Sequence, residues 1–297
     1  MENILRPKSL SGIIGSKRIK QQLRKIIDAA NIEQRNIPHM IFISSAGGLG
    51  KTTFALAIAN ELQVDILITN GGTISSLKDI LPYLIRLKDH DILFIDEVHR
   101  MPMKICEFLY NALEDFFISP GKGSSVIPLR KFACITATTK ECSLPQPFLS
   151  RFVYKFHLEL YNSHDLSLII KQSAQNLGLN MTDKAIINLA MRARGIPRNA
   201  NNHLLWVRDY AVSKGLGIIK EENINEMMNM VGVEPNGMTV QDRKYIESLK
   251  KANRPVGLST LVSMVGASRE TVEQTIEPFL IGQLGLVQIS TNGRILT

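Results

Sequence analysis

Over the first 160 residues, short apolar runs alternate with longer stretches whose apolar positions recur every three or four residues. The runs are HMIFISS, DILIT, DILFIDE and KFACITATT, and between them lie TTFALAIANEL, LKDILPYLIRL and KICEFLYNALEDF. A short continuous apolar run predicts a strand buried on both faces, and its alternation with amphipathic helices predicts a parallel sheet covered on both sides. This is an α/β domain, 1–160. From Asn162 the strand pattern stops. Segments such as SHDLSLIIKQSAQNLG and TDKAIINLAMRARG, with Ser163 and Thr182 placed as N-caps, predict a small all-α domain over 161–236. A turn-rich joint, Glu234-Pro-Asn-Gly237, opens the last segment, 237–297. It holds three helix-like stretches and two short strand signals around Asn292-Gly293, which together predict a winged helix.

Composition narrows the class. With 44% apolar residues the chain can bury ordinary cores and is not a disordered polymer. No apolar run approaches the roughly 18 residues needed to span a bilayer, and the amino terminus lacks a secretory apolar region, so membrane insertion and export are disfavoured. Cys106, Cys134 and Cys142 have no repeated spacing that would suggest a disulfide framework or a zinc site, which fits a reducing cytoplasm. The net charge of +8 is spread without a polybasic block, and permits a phosphate-rich partner without demanding one.

The strongest chemical signal is Ser45-Ala-Gly-Gly-Leu-Gly-Lys-Thr52, directly between a predicted strand and a predicted helix. That context is the one a phosphate-binding loop requires. Glycines let consecutive N–H groups turn toward phosphate oxygens, and the helix amino terminus adds favourable potential. Gly48, Gly50, Lys51, Thr52 and Thr53 form the expected ATP-binding set, with Lys51 solvent-facing in the absence of ligand and Thr52 on magnesium (Mg2+). Ser45 stands where the pattern has its first glycine, a mild departure if its dihedrals stay in the permitted region.

The strand Asp91-Ile-Leu-Phe-Ile-Asp-Glu97 ends in two carboxylates at the sheet edge where such folds bind ligands. Asp96 would complete the magnesium shell through water, and Glu97 would orient or deprotonate the attacking water. Thr138 and Thr139 end the next strand, as γ-phosphate sensors or simply as strand formers. Arg151 and Arg198 are each either a neutraliser of phosphoryl charge, Arg151 from a neighbouring subunit, or a plain surface arginine.

With these residues in place the sequence resembles the RuvB family of AAA+ ATPases, the Holliday-junction branch-migration motors. The resemblance is carried by Leu5-Arg6-Pro7 with Ile14-Gly15, GGLGKTT, Thr69-Asn-Gly71, DILFIDEVHR, Glu114-Asp115-Phe116, Ala137-Thr-Thr139 and Arg151-Phe152. It continues through Tyr161, Arg194-Gly, Pro197-Arg198 and Val207-Arg208-Asp209 into Pro255-Val-Gly-Leu258, Ile276-Glu-Pro278 and Gly293-Arg294. It implies that Leu5, Arg6 and Tyr161 pack around the nucleotide, that Arg151 is the finger reaching a neighbour's ATP, and that Arg198 and Thr139 are sensors. It further implies a homo-oligomeric ring, a hexamer, around DNA bound without sequence specificity, with the winged helix touching the duplex.

Two departures bear on partners. Only 15 residues separate Phe116 from Phe132, where the family has a longer stretch building a β-hairpin that engages RuvA, which argues against a RuvA-like partner. The wing keeps one arginine of the family's three, Arg294, expected to project outward from the hairpin tip toward a phosphate, with Arg254 and Arg269 as further nucleic-acid candidates. Two readings follow: a DNA motor, or a helicase loader or protein-remodelling ATPase on the same scaffold. A third, non-hydrolysing relative is disfavoured by the intact Lys51, Thr52, Asp96, Glu97, Arg151 and Arg198.

Overall fold

In the computed structural model, which describes residues 2–119 and 126–297, the apolar runs of the first half become strands. They are β1 (Met40–Ser44), β2 (Ile66–Asn70), β3 (Ile92–Asp96) and β6 (Ala133–Thr138); β7 (Tyr154–Leu158) is a fifth strand, and β4 (Phe117–Ile118) and β5 (Ile127–Pro128) form a separate two-stranded hairpin. The five long strands pair in the order β2-β3-β6-β1-β7, all parallel. Every residue of β1 and β6 is buried, as a central strand of a sheet covered on both faces must be. The tip of the β4–β5 hairpin, within the stretch FISPGKGSSVIPLRK, lies outside the described residues.

Strand β7 escapes the apolar-run pattern. Its sequence, YKFHL, alternates because it pairs only with β1 at the sheet edge and buries just Phe156 and Leu158. Helices α1 (Glu2–Leu5), α2 (Lys17–Glu33), α3 (Lys51–Leu62), α4 (Leu77–Arg86), α5 (Met103–Glu114) and α6 (Gln146–Leu149) complete this unit, residues 1–159. Phe42 of β1 stacks on Phe54 of α3 at 5.5 Å and on Phe156 of β7 at 5.4 Å, so the helix that follows the glycine-rich loop is fixed by the middle of the sheet.

The second compact unit, 160–297, holds two hydrophobic cores. One is enclosed by α7 (Ser163–Asn176), α8 (Asp183–Met191), α9 (Pro197–Ser213) and α10 (Glu221–Met230). Thr182 caps α8 as expected, its side chain accepting from the N–H of Ala185, whereas α7 is capped by Asn162 rather than Ser163. The Asn162 side chain reaches the N–H of Asp165 at 2.7 Å, and Ser163 already lies inside the helix.

The other core is the winged helix. It contains α11 (Val240–Ala252), α12 (Leu258–Val265) and α13 (Arg269–Thr271), which continues in wider π-helical turns over Val272–Ile276 and Pro278–Gln283, and then β8 (Val287–Ser290) and β9 (Gly293–Leu296). Pro278 has no N–H to give to the preceding turn and its ring crowds that turn's carbonyl, so the wider winding lets the helix pass the proline unbroken. In the wing, Ser290 pairs with Gly293, so Thr291 and Asn292 form the tip and Gly293 is already strand. Its φ of 135° and its closeness to Val256, whose carbonyl would lie 2.5 Å from an added Cβ, account for the glycine. The backbones of Arg294 and Val256 exchange hydrogen bonds in both directions, a single antiparallel bridge that ties the two-stranded wing to the segment before α12.

Candidate active site

β1 ends at Ser44 and α3 begins at Lys51, and the loop between them is shaped by Gly48 (φ 85°) and Gly50 (φ 103°), values that L side chains rarely adopt. Ser45 is not among the residues at positive φ, so a serine fits where the pattern has glycine. Gly50 caps α3 without a side chain, which leaves the first N–H groups of that helix for an anion. Leu10 donates its N–H to Glu61 of α3 at 2.7 Å, tying the segment that follows Leu5 and Arg6 to the same helix; Leu5 is buried and Arg6 half-buried. Thr53 lies half-buried in the first turn of α3.

Lys51 is not solvent-facing. It is 5% exposed, with Nζ donating to Ser44 Oγ at 2.8 Å and lying 3.9 Å from Glu97 Oε1. The carboxylate at the end of β3 draws the ammonium inward where the sequence alone suggests an open loop. Thr52 Oγ1 donates to Asp96 Oδ2 at 3.1 Å, and Asp96 Oδ1 accepts the N–H of Glu97 at 2.9 Å.

Glu97 adopts the left-handed conformation, φ 46° and ψ 45°, a sparsely populated state for a non-glycine residue and of the kind found at functional sites. Its Oε2 accepts the Thr139 hydroxyl at 3.1 Å, and His99 Nδ1 lies 3.4 Å from the same oxygen. Lys51, Thr52, Asp96, Glu97 and Thr139 thus converge from the carboxyl ends of β1, β3 and β6, which the strand order sets side by side. Thr138 faces His99 rather than Glu97, with Oγ1 3.0 Å from His99 Nδ1.

Two residues of this site carry no role in the motif reading. His99 belongs to DILFIDEVHR, and its place in a motif that already supplies Asp96 and Glu97 was the available signal. Burial lowers its pKa, helped by Lys140, Arg100 and Lys51 and opposed by the Glu97 carboxylate, so the ring is neutral at physiological pH. Gly71 ends the Thr-Asn-Gly signature. A Cβ there would lie 2.5 Å from the Glu97 carbonyl oxygen, so only glycine lets the end of β2 press against the backbone that carries Glu97.

Other expected residues stand elsewhere. Arg151 donates to Glu114 Oε2 at 2.6 Å and to the Pro147 carbonyl at 3.0 Å, and its guanidinium lies 5.0 Å from the centre of the Tyr110 ring; none of these partners belongs to the Lys51–Glu97 cluster. In the second unit, the Tyr161 N–H donates to the Gly195 carbonyl. Arg198 is exposed in the first turn of α9, where the helix dipole disfavours a cation, so helix stability does not account for it.

The wing arginine differs from the expectation. Arg294 is turned inward: Nε donates to Glu277 Oε1 at 2.8 Å and a second nitrogen to Oε2 at 3.2 Å, with only 18% of the side chain exposed. The Glu277 carboxylate, buried with the Tyr245 hydroxyl on it at 2.8 Å, outcompetes solvent for the guanidinium. Arg254 is exposed, and Arg269 is exposed while paired with Glu273 one turn on.

Comparison with known proteins gives this geometry a family. Residues 5–158 match the Holliday junction DNA helicase RuvB P-loop domain, 161–234 the RuvB AAA lid domain and 235–297 the RuvB C-terminal winged helix domain. The Holliday junction branch migration complex subunit RuvB of Bifidobacterium adolescentis is 39% identical over 99% of this chain and 83% of its own length. That of Streptomyces avermitilis is 38% identical over 100% and 85%. Among solved structures, the Thermotoga maritima RuvB Holliday junction branch migration motor superposes with a TM-score of 0.88 at 32% identity, covering 99% of this chain and 96% of that one. No helix among the described residues is long and apolar enough to cross a membrane. Three consecutive domain matches in order, a fold shared from end to end and a phosphate loop facing a paired carboxylate strand place this chain in the RuvB family of AAA+ ATPases.

Proposed function

We infer that this chain is an ATP-hydrolysing ring motor that acts on duplex or branched DNA in the manner of the RuvB branch-migration motors. The observation that carries the reading is the convergence of Lys51, Thr52, Asp96, Glu97 and Thr139 at the ends of three neighbouring strands. Lys51 and the N–H groups around Gly48 and Gly50 hold the β and γ phosphates. Thr52 Oγ1 and Asp96 Oδ2, hard oxygen donors 3.1 Å apart, suit magnesium: the Thr52 hydroxyl would hold the ion and the Asp96 carboxylate would support it through water. When bound there, the ion neutralises charge on the β and γ oxygens. Glu97 takes the proton of the water that attacks the γ-phosphorus as the bond to the β-phosphate oxygen breaks, and Thr139 orients the carboxylate.

The finer parts of the proposal rest on the resemblance. Arg151 serves a neighbouring subunit's ATP in a hexameric ring, Leu5, Arg6 and Tyr161 pack on the nucleotide, and Arg198 senses its γ-phosphate. DNA is held without sequence preference, with Arg254 and Arg269 as the wing-domain contacts. One observation favours the second reading, a loader or protein-remodelling ATPase: the wing arginine is committed to Glu277.

Hydrolysis by wild type and Glu97→Gln, with and without linear and four-way-junction DNA at moderate salt, separates these readings. DNA is expected to raise the wild-type rate. Glu97→Gln is expected to bind ATP but turn it over at least about 100-fold more slowly. Hydrolysis indifferent to DNA puts the remodeller first, and undiminished turnover in Glu97→Gln removes Glu97 as the base.

A further inference from the structure

His99 has a position that simple packing does not explain. It lies in a one-turn 3-10 helix, Val98–Arg100, for which Glu97 is the N-cap, and its side chain is 9% exposed. Nδ1 meets two oxygens from different parts of the fold, Thr138 Oγ1 of β6 at 3.0 Å and Glu97 Oε2 at 3.4 Å. Thr138 Oγ1 already accepts the N–H of Lys140 at 2.9 Å, and its hydroxyl can either accept from Nδ1 or donate to it, so Thr138 suits both tautomers and Glu97 decides between them. An ionised carboxylate only accepts. The arrangement is therefore satisfied by the tautomer with hydrogen on Nδ1, donating to Thr138 and leaning on Glu97, and burial keeps the ring neutral so that this tautomer can persist.

The two oxygens of Glu97 are then unequal. Oε2 receives the Thr139 hydroxyl and faces His99, while Oε1 faces Lys51 at 3.9 Å, on the side where the phosphate loop lies. We propose that His99 is a positioning residue for hydrolysis: its Nδ1–H, shared between Thr138 and Glu97, acts with Thr139 to hold Oε2, so that Oε1 is the oxygen that takes the proton from the attacking water. The proposal rests on Glu97 as the base. It makes the 97–100 turn and the end of β6 one unit, in which a shift of Thr138 and Thr139 moves the carboxylate.

The test uses the full chain in four forms besides wild type: His99→Ala, His99→Asn, Glu97→Gln and the His99→Ala/Glu97→Gln double variant. Thermal melts, ATP affinity by titration with a fluorescent ATP analogue, and steady-state kcat and KM are measured for each. Misplacing a reacting group by about an ångström costs up to about 100-fold, so His99→Ala should lower kcat by about 10- to 100-fold with ATP affinity and KM nearly unchanged. Asparagine carries an amide N–H near the position of Nδ1, so His99→Asn should recover most of the loss. Because His99 works through Glu97, adding His99→Ala to Glu97→Gln should slow turnover no further. Unchanged kcat in His99→Ala, no recovery in a stably folded His99→Asn, or a full additional loss in the double variant overturns the proposal. Normal turnover in Glu97→Gln removes the reading on which it rests, a result visible before His99 is considered.

Discussion

His203 lies in α9 with 8% of its surface exposed, its ring stacked on Trp206 at 5.4 Å and its Nδ1 without a hydrogen-bond partner among the described residues. Burial, then Arg194 and Arg192, push its pKa down to about 4. The unfolded chain takes up this proton near pH 6.5 and the folded chain only near 4, so in that window the unfolded state binds more protons. Stability from this group is complete above pH 6.5 and falls as the pH drops toward 4, by about 3 kcal/mol in all. Denaturant unfolding at pH 7.5 and 4.5 checks this against His203→Phe, which keeps an aromatic ring beside Trp206. The loss on acidification should be smaller in the variant, and equal losses in both proteins would show that His203 is not the group. The sequence gives no sign of this behaviour, because a histidine within a helix reads the same whether solvated or enclosed.

At the scale of elements, the wing and the long helix before it form one polar knot: Tyr245 of α11, Glu277 between the two π-helical segments, and Arg294 of β9. The Asn-Gly signal correctly places a hairpin, but the side chain after it follows the buried carboxylate rather than the hairpin's outward direction. Arg294→Ala leaves Glu277 buried with only the tyrosine hydroxyl on it, which costs about 2 kcal/mol. The variant should melt at a lower temperature, and any fall in DNA binding should track that loss. Arg254→Ala, at an exposed position, should instead flatten the salt dependence of DNA affinity with the melting temperature unchanged. A salt titration of DNA binding beside thermal melts decides this, and an Arg294→Ala protein of wild-type stability that binds DNA poorly would return the wing arginine to the DNA surface.

At the scale of the whole molecule, the segments read as lid and winged helix share a unit with a buried seam. Arg194 pairs with the fully buried Asp242, donates to the Gly237 carbonyl at 2.8 Å and lies 4.0 Å from the centre of the Phe279 ring. Such a joint favours their moving together. In the other unit, the guanidinium of Arg151 is held by Glu114 and Tyr110 of its own chain, so to serve a neighbour's ATP it has to exchange the Glu114 carboxylate for phosphate. Arg151→Ala should bind nucleotide normally and hydrolyse it on the order of 1,000-fold more slowly. Mixed with Lys51→Ala subunits it should regain part of the activity, because intact Lys51 sites can then face intact arginines. No recovery in demonstrably mixed assemblies would place Arg151 outside trans catalysis.

The order of residues along the chain is enough to specify the central strands, the glycine-rich turn with Lys51 and Thr52 at the start of α3, the carboxylate pair closing β3, and the helix-then-hairpin order of the last segment. These follow from short-range rules: side-chain period, the φ values open to glycine, and the helix amino terminus. It did not determine the edge strand β7, whose alternating pattern lacks an apolar run, nor the N-cap Asn162, which competed with a serine beside it. Tertiary structure alone decided that β6 lies next to β3, which brings Thr139 and Thr138 to Glu97 and His99, that Gly71 presses on the Glu97 backbone, and that Arg294 turns inward. Each depends on which distant segments become neighbours, and in a buried setting a charge goes to the partner that fold supplies, since leaving it unpaired costs more than any local preference of the chain.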